Sequence, residues 1–159
     1  MKTCVFAGTF DPITKGHEYC INKCLTMFDK VVIAIGVNVD KNPLFSLSDR
    51  KKMIELAFNG DDRIVVKTFD NMLVDFMKDN GIFINVRGIR DQDDYKYETT
   101  MSRYNLDMYK DLTTIFLPTP QDLVYVSSTA IRNILSLNGD ISKYVSKPVY
   151  DYVNNLKNK

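Results

Sequence analysis

Residues 4–20 read CVFAGTFDPITKGHEYC. An apolar, β-rich run over residues 3–7 breaks at Gly8 into a connector containing Asp11-Pro12 and Gly16. A helical pattern follows, with Cys20, Ile21, Cys24, Leu25 and Phe28 on one stripe. His17, the one histidine of the chain, stands where the connector turns into that helix. The position admits two readings. The imidazole is a helix cap or buried structural group, or it is a donor to an anion drawn by the free N–H groups and positive end of the helix.

The same alternation runs outward along the chain. β-rich runs recur at residues 31–37 (VVIAIGV), 63–69 (RIVVKTF), 82–86 (IFINV) and 113–117 (TTIFL). Their continuous apolar character implies burial on both faces. Between them, Met53, Ile54, Ala57 and Phe58 follow a Ser46-x-x-Asp49 capping pattern, and Met72, Leu73, Phe76 and Met77 end at Asn80-Gly81, which suits a left-handed C-cap. Tyr97, Met101, Tyr104 and Met108 have helical spacing, and further helices are expected over residues 128–137 and from Pro148 onward. Strand–helix alternation of this kind predicts a doubly wound parallel sheet with right-handed crossovers. In such sheets ligands bind beyond the carboxyl ends of the strands. The polar segments GTFDPITKGH, NVDKNP, DNML, RGIRDQDD and PTPQDLVYVSST all fall on that one expected rim, which favours the donor reading of His17.

With 159 residues the chain is expected to form a single domain around one core. Lys and Arg total 21 against 20 Asp and Glu, a net charge of +1, so no global field favours nucleic acid or an anionic membrane and any anion site must be local. The apolar runs fall far short of the ~20 residues needed to span a bilayer, and no signal-peptide h-region opens the chain; a cytoplasmic protein is expected. Cys4, Cys20 and Cys24 form no CxxC pair and read as small core residues in a reducing compartment. No structural metal is expected. Asp91, Asp93 and Asp94 read as a solvated acidic run or a source of salt bridges.

The first loop is neither G-x-x-x-x-G-K-[ST], since Lys15 precedes Gly16 and a histidine follows, nor G-x-G-x-x-G. Thr14-Lys15-Gly16-His17 instead resembles the HxGH motif of nucleotidylyltransferases, in which threonine often replaces the first histidine, and VSSTAIR (126–132) resembles their ISSTxxR motif. VRGIRDQDDYKYE (86–98) looks like the R-G-[IL]-R-x-x-x-D-[FY]-x-[YH]-E signature of the phosphopantetheine adenylyltransferase family, and the similarity extends over nearly the whole chain. Two departures stand out: Phe6-Ala7 where the family often has Tyr-Pro, and Leu123 where it often has Trp.

The resemblance implies an α/β, Rossmann-like doubly wound five-stranded parallel sheet with helices on both faces, in one nucleotidylyltransferase domain over residues 1–159. It implies adenylyl transfer from ATP to 4'-phosphopantetheine, giving dephospho-coenzyme A and pyrophosphate, with Mg²⁺ carried by ATP. The alternatives are a nucleotidylyltransferase acting on nicotinate mononucleotide, a cytidylyltransferase, or a regulator that binds nucleotide without turnover. By the same resemblance His17, Lys41 and Arg90 are catalytic, with His17 serving the α-phosphate in the transition state and Thr9 donating to a phosphate nearby. The ATP side comprises Thr9, Phe10, His17, Gly88, Ile89, Arg90, Glu98, Leu123, Val124, Tyr125, Val126, Ser127, Ser128 and Thr129. Gly88 is expected to admit ATP close to the backbone, Glu98 to accept from ribose or adenine, and Ser127, Ser128 and Thr129 to face the β- and γ-phosphates. The acceptor side comprises Thr9, Lys41, Met72, Leu73 and Arg87. The family assembles as a homohexamer, and the tyrosine- and methionine-rich segment 95–109 is either its apolar interface or part of the core.

Overall fold

Side chains alternate across a strand, and in the central strands both sets of alternates are buried. The computed structural model, which describes residues 1–37 and 42–157, contains β1 (Thr3–Gly8), α1 (Lys15–Met27), β2 (Lys30–Gly36), α2 (Leu47–Ala57), β3 (Ile64–Phe69), α3 (Leu73–Asp79), β4 (Ile84–Ile89), α4 (Gln92–Met108), β5 (Thr113–Pro118), α5 (Ser128–Ser136) and α6 (Lys147–Lys157). All strand pairs are parallel, in the order β3-β2-β1-β4-β5. Cys4, Phe6, Val31, Ile33, Ile35 and Val86 face one layer, where they meet Ile21 and Cys24 of α1, Met53 and Ile54 of α2, Ile131 and Leu135 of α5, and Val149 and Val153 of α6. Val5, Ala7, Val32 and Ala34 face the other and meet Val74, Phe76 and Met77 of α3. Helices on both faces therefore cover the sheet, and each fully buried Ile, Val or Met contributes about 1.5–3 kcal/mol relative to exposure. The edge strands are less covered: Lys67 and Thr68 of β3 are exposed.

Local signals place most element ends. Ser46 caps α2 by accepting from Asp49 N–H at 3.1 Å, as the sequence pattern predicts. Gly81 takes φ +63°, the left-handed conformation that follows a helix end without a Cβ penalty. Asp91, in the acidic run, is the N-cap of α4 and accepts from Asp94 N–H at 2.8 Å. No helix among the described residues is long and apolar enough to cross a membrane.

One expectation needs correction, and one open reading is decided. The fourth strand begins two residues later than its apolar run suggests and continues through Arg87, Gly88 and Ile89, which pair with Phe116, Leu117 and Pro118. Those three residues are therefore strand, not loop, and Gly88 sits in the strand for a packing reason given below. The helical stripe of Tyr97, Met101, Tyr104 and Met108 is not core. No residue of α4 is buried, and these four side chains are exposed together with Tyr95 and Leu106.

Candidate active site

The chain runs outward from β1 through β2 to β3, then returns to lay β4 against the other side of β1. At that reversal the loops leaving β1 and β4 diverge, and a cavity of about 620 Å³ opens over their carboxyl ends. It is lined by the loop after β1, the starts of α1 and α5, and residues of β4 and α4. Two helix N-termini thus converge on one space, where their unpaired N–H groups and partial positive charge favour an anion.

His17 is the third residue of α1 and joins a reciprocal cap. Its backbone N–H donates to Thr14 Oγ1 at 3.3 Å, while Thr14 N–H donates to its Nδ1 at 3.1 Å. An Nδ1 that accepts has no proton, so the ring is the neutral tautomer with hydrogen on Nε2. Phe10 and Phe6 pack edge-on against the imidazole, with centroids 5.1 and 6.4 Å away. Burial, reinforced by the nearby Arg87 and Arg90 charges, pushes its pKa down from 6.5 to about 4. The ring is consequently an uncharged N–H donor at neutral pH. The cap reading of His17 therefore holds through Nδ1 and the backbone N–H, and it leaves Nε2–H outside the cap.

The cationic side chains are held by carboxylates. Arg87 forks onto Glu98 at 2.9 and 2.6 Å and donates through Nη1 to the Ala7 carbonyl, tying β4, β1 and α4 together. Arg90 donates to both oxygens of Asp94, at 2.8 and 3.1 Å, and this pairing holds the Asp94 carboxyl below the usual range. Arg132 of α5 donates to the Asp11 carbonyl at 2.9 Å, with its Nη1 3.8 Å from the Asp11 carboxylate. Asp11, 2 % exposed, also accepts from the Leu44 and Phe45 N–H groups at 2.8 Å and so staples the segment after β2 to the loop after β1. Every carboxylate lining the cavity among the described residues is therefore already engaged, and no group of three metal-ligating side chains occurs among them.

Of the residues singled out from sequence, Thr9, Phe10, His17, Arg87, Gly88, Arg90, Glu98, Val126, Ser127, Ser128 and Thr129 line this cavity. Ile89, Leu123, Val124, Tyr125, Met72 and Leu73 do not: Leu123 and Leu73 each pack against a core cluster, and Met72 and Tyr125 are exposed. Lys41 lies outside the described residues. Ser127 caps α5 by accepting from Ala130 N–H at 3.1 Å, and the Ser128 hydroxyl donates to the Pro12 carbonyl at 2.8 Å. These two hydroxyls hold the loop and helix in place. Gly88 serves helix packing as well as the cavity, because a Cβ there would lie 2.9 Å from Cys20 Sγ of α1. Burial pushes that thiol up to about 11, so Cys20 is no nucleophile at neutral pH.

The sequence reading missed Asp11, Arg50 and Arg132 as site builders. Arg132 closes the quoted VSSTAIR motif, a usable signal; Arg50, in a helix of ordinary amphipathic pattern, carries none.

The cytidylyltransferase-like family profile matches residues 5–134. The chain is 40% identical to the phosphopantetheine adenylyltransferase of Cytophaga hutchinsonii over 144 residues, 91% of this chain and 96% of that one. It is 38% identical to that of Chromobacterium violaceum over 154 residues, 94% of both chains. Among solved structures, it resembles a bifunctional NMN adenylyltransferase/ADP ribose pyrophosphatase from Francisella tularensis, with TM-score 0.78 and 20% identity. The same enzyme complexed with AMP and a manganese ion gives TM-score 0.73 and 23% identity. The alignments cover 99% of this chain but only 50% and 49% of those chains, so the chain spans about half of the bifunctional protein, and identity at this level speaks to fold alone. Identity of 38–40% over more than nine-tenths of the chain, joined to the histidine-capped loop and its converging helix starts, places the chain within the cytidylyltransferase-like group, in the phosphopantetheine adenylyltransferase family.

Proposed function

We propose that this protein transfers the adenylyl group of magnesium-bound ATP to 4'-phosphopantetheine, releasing pyrophosphate and dephospho-coenzyme A, in the cytoplasm. The observation that supports this most directly is the neutral Nε2–H of His17 at the start of α1, set among three arginines and the start of α5 in one cavity. The acceptor's phosphate monoester is ionised near neutral pH, so its oxygen attacks the α-phosphorus without a general base. A bond forms from that oxygen to the α-phosphorus as the bond to the bridging oxygen of pyrophosphate breaks. Charge then accumulates on the α-phosphoryl oxygens and on the leaving group, and pre-aimed donors lower the barrier. His17 Nε2–H serves the α-phosphoryl group, while Arg90 and the α5 start serve the nucleotide phosphates. Arg87 and Lys41 serve the acceptor. Magnesium, when bound with ATP, adds charge neutralisation on the phosphates.

The test compares kcat/KM for 4'-phosphopantetheine and nicotinate mononucleotide at one magnesium–ATP concentration, with pyrophosphate release as readout. A marked preference for phosphopantetheine is expected; parity, or preference for the nucleotide, refutes the acceptor while leaving adenylyl transfer in place. We further propose self-association, as a homohexamer, through the exposed face of α4 carrying Tyr97, Met101 and Tyr104. Sedimentation of a Tyr97→Glu, Tyr104→Glu variant should show smaller particles than the parent, and equal particles would refute that interface.

A further inference from the structure

Arg50 is an arginine inside the core, only 4 % exposed, on the inward face of α2 beside Met53 and Ile54. A buried guanidinium is costly to desolvate unless its hydrogen-bonding groups are used. Its Nη1 donates to the backbone carbonyl of Thr9 at 2.9 Å, and its Nε has no partner among the described residues. Among the described residues, the hydrogen bond it makes is to a peptide of the loop that forms the cavity floor.

That peptide is unusual in a second way. Phe10 has φ +51°, a conformation in which a bulky L-residue is an outlier. Space for it is provided by Gly8, where an added Cβ would lie 3.1 Å from Phe10 Cζ. In a trans peptide the carbonyl and the following N–H point in opposite directions. With the Thr9 carbonyl drawn down to Arg50 in the core, the Phe10 N–H is turned the other way, and it finds no acceptor among the described residues. Phe10 itself lines the cavity. An ordinary negative φ would rotate this peptide and direct a carbonyl oxygen, a repulsive group for an anion, to the same place.

We infer that Arg50 is a positioning residue: by holding the Thr9 carbonyl it turns the Thr9–Phe10 peptide so that the Phe10 N–H is offered to an anionic oxygen of the phosphates in the cavity. Arg50 never meets substrate. Its charge acts through one backbone bond, and the positive φ of Phe10 is the local cost of the orientation. The inference rests on the reading of this cavity as a nucleotide-phosphate site.

Backbone amide NMR of the full chain, titrated with inorganic pyrophosphate and separately with ATP, tests it. In the unaltered protein the Phe10 amide should shift strongly on binding either probe. Arg50→Met keeps an unbranched apolar stem and removes the donor; it should lose the Phe10 shift and weaken ATP about tenfold or more, with the helical circular dichroism unchanged. Arg50→Lys, whose ammonium can reach the same carbonyl, should recover part of both. A Phe10 amide that stays still while the unaltered protein binds pyrophosphate overturns the inference, whatever the variants do. So does an Arg50→Met protein that keeps both the shift and the affinity. If the unaltered protein binds neither probe, the phosphate reading of the cavity fails first and takes the inference with it.

Discussion

The two nitrogens of His17 face different tasks, and two substitutions separate them. Asparagine places a carbonyl oxygen near the position of Nδ1 and nothing at Nε2; glutamine reaches the Nε2 position and leaves Nδ1 empty. In His17→Asn the amide oxygen can still accept from Thr14 N–H, now 3.1 Å from Nδ1, so the α1 cap survives while the cavity-facing donor is lost. Loss of one preorganised donor to a developing oxyanion costs about 10²–10³ in kcat, or about 3–4 kcal/mol of transition-state stabilisation. The bond from His17 N–H to Thr14 Oγ1 is backbone-based and persists in both variants. Stability of His17→Asn should therefore stay within about 0.5 kcal/mol of the parent, whereas His17→Gln forfeits one part-buried hydrogen bond of the cap and should lose about 1 kcal/mol. In exchange it retains an amide N–H near the catalytic position and should keep at least tenfold more kcat than the asparagine variant. The assays are urea unfolding at pH 7.5 and initial rates of pyrophosphate release at saturating magnesium–ATP. Because the chain has one histidine, ¹⁵N spectra of the imidazole can confirm independently that Nδ1 is the unprotonated nitrogen. Wild-type turnover in His17→Asn, or equal turnover in the two variants, would refute the assignment of Nε2–H as the catalytic donor.

The same imidazole predicts an acid sensitivity. The native ring stays neutral down to about pH 4 while the unfolded ring protonates below about 6.5, so the unfolded state binds the extra proton and stability falls as pH drops through that window. At about 1.4 kcal/mol per pH unit the full interval carries about 3 kcal/mol, an upper figure for a side chain that is only partly buried. The parent should lose up to that amount between pH 6.5 and 4 relative to His17→Asn; parallel curves would show that the native ring titrates normally. Glu18, whose carboxyl is pushed up by burial, has the opposite sign, is common to both proteins and drops out of the difference. At Gly88, Gly88→Ala should destabilise by about 1–3 kcal/mol through the 2.9 Å clash with Cys20 Sγ, and adding Cys20→Ala should recover most of the loss. Equal melting temperatures for Gly88→Ala and the double variant would mean that the thiol is not the obstacle.

The amino-acid sequence by itself determined the strand–helix alternation, the two-sided burial of the central strands, the Ser46 cap of α2, the left-handed residue at Gly81 and the gathering of the polar segments GTFDPITKGH, RGIRDQDD and PTPQDLVYVSST around one cavity. These features rest on short-range periodicity and on the chemistry of single turns, which act within a few residues. It also identified His17, since a lone imidazole at a helix start is a local pattern; the tautomer required the Thr14 N–H direction. Tertiary structure alone decided that β4 lies beside β1, which brings Arg87 and Arg90 to the loop that holds His17. It alone decided which carboxylate holds which arginine, that Gly88 gives room to Cys20, and that Arg50 lies in the core against the Thr9 carbonyl. The α4 stripe shows the limit of pattern most plainly: a period near 3.6 says that one face of a helix is apolar, but whether the sheet, another copy of the chain or water meets that face depends on elements distant in sequence.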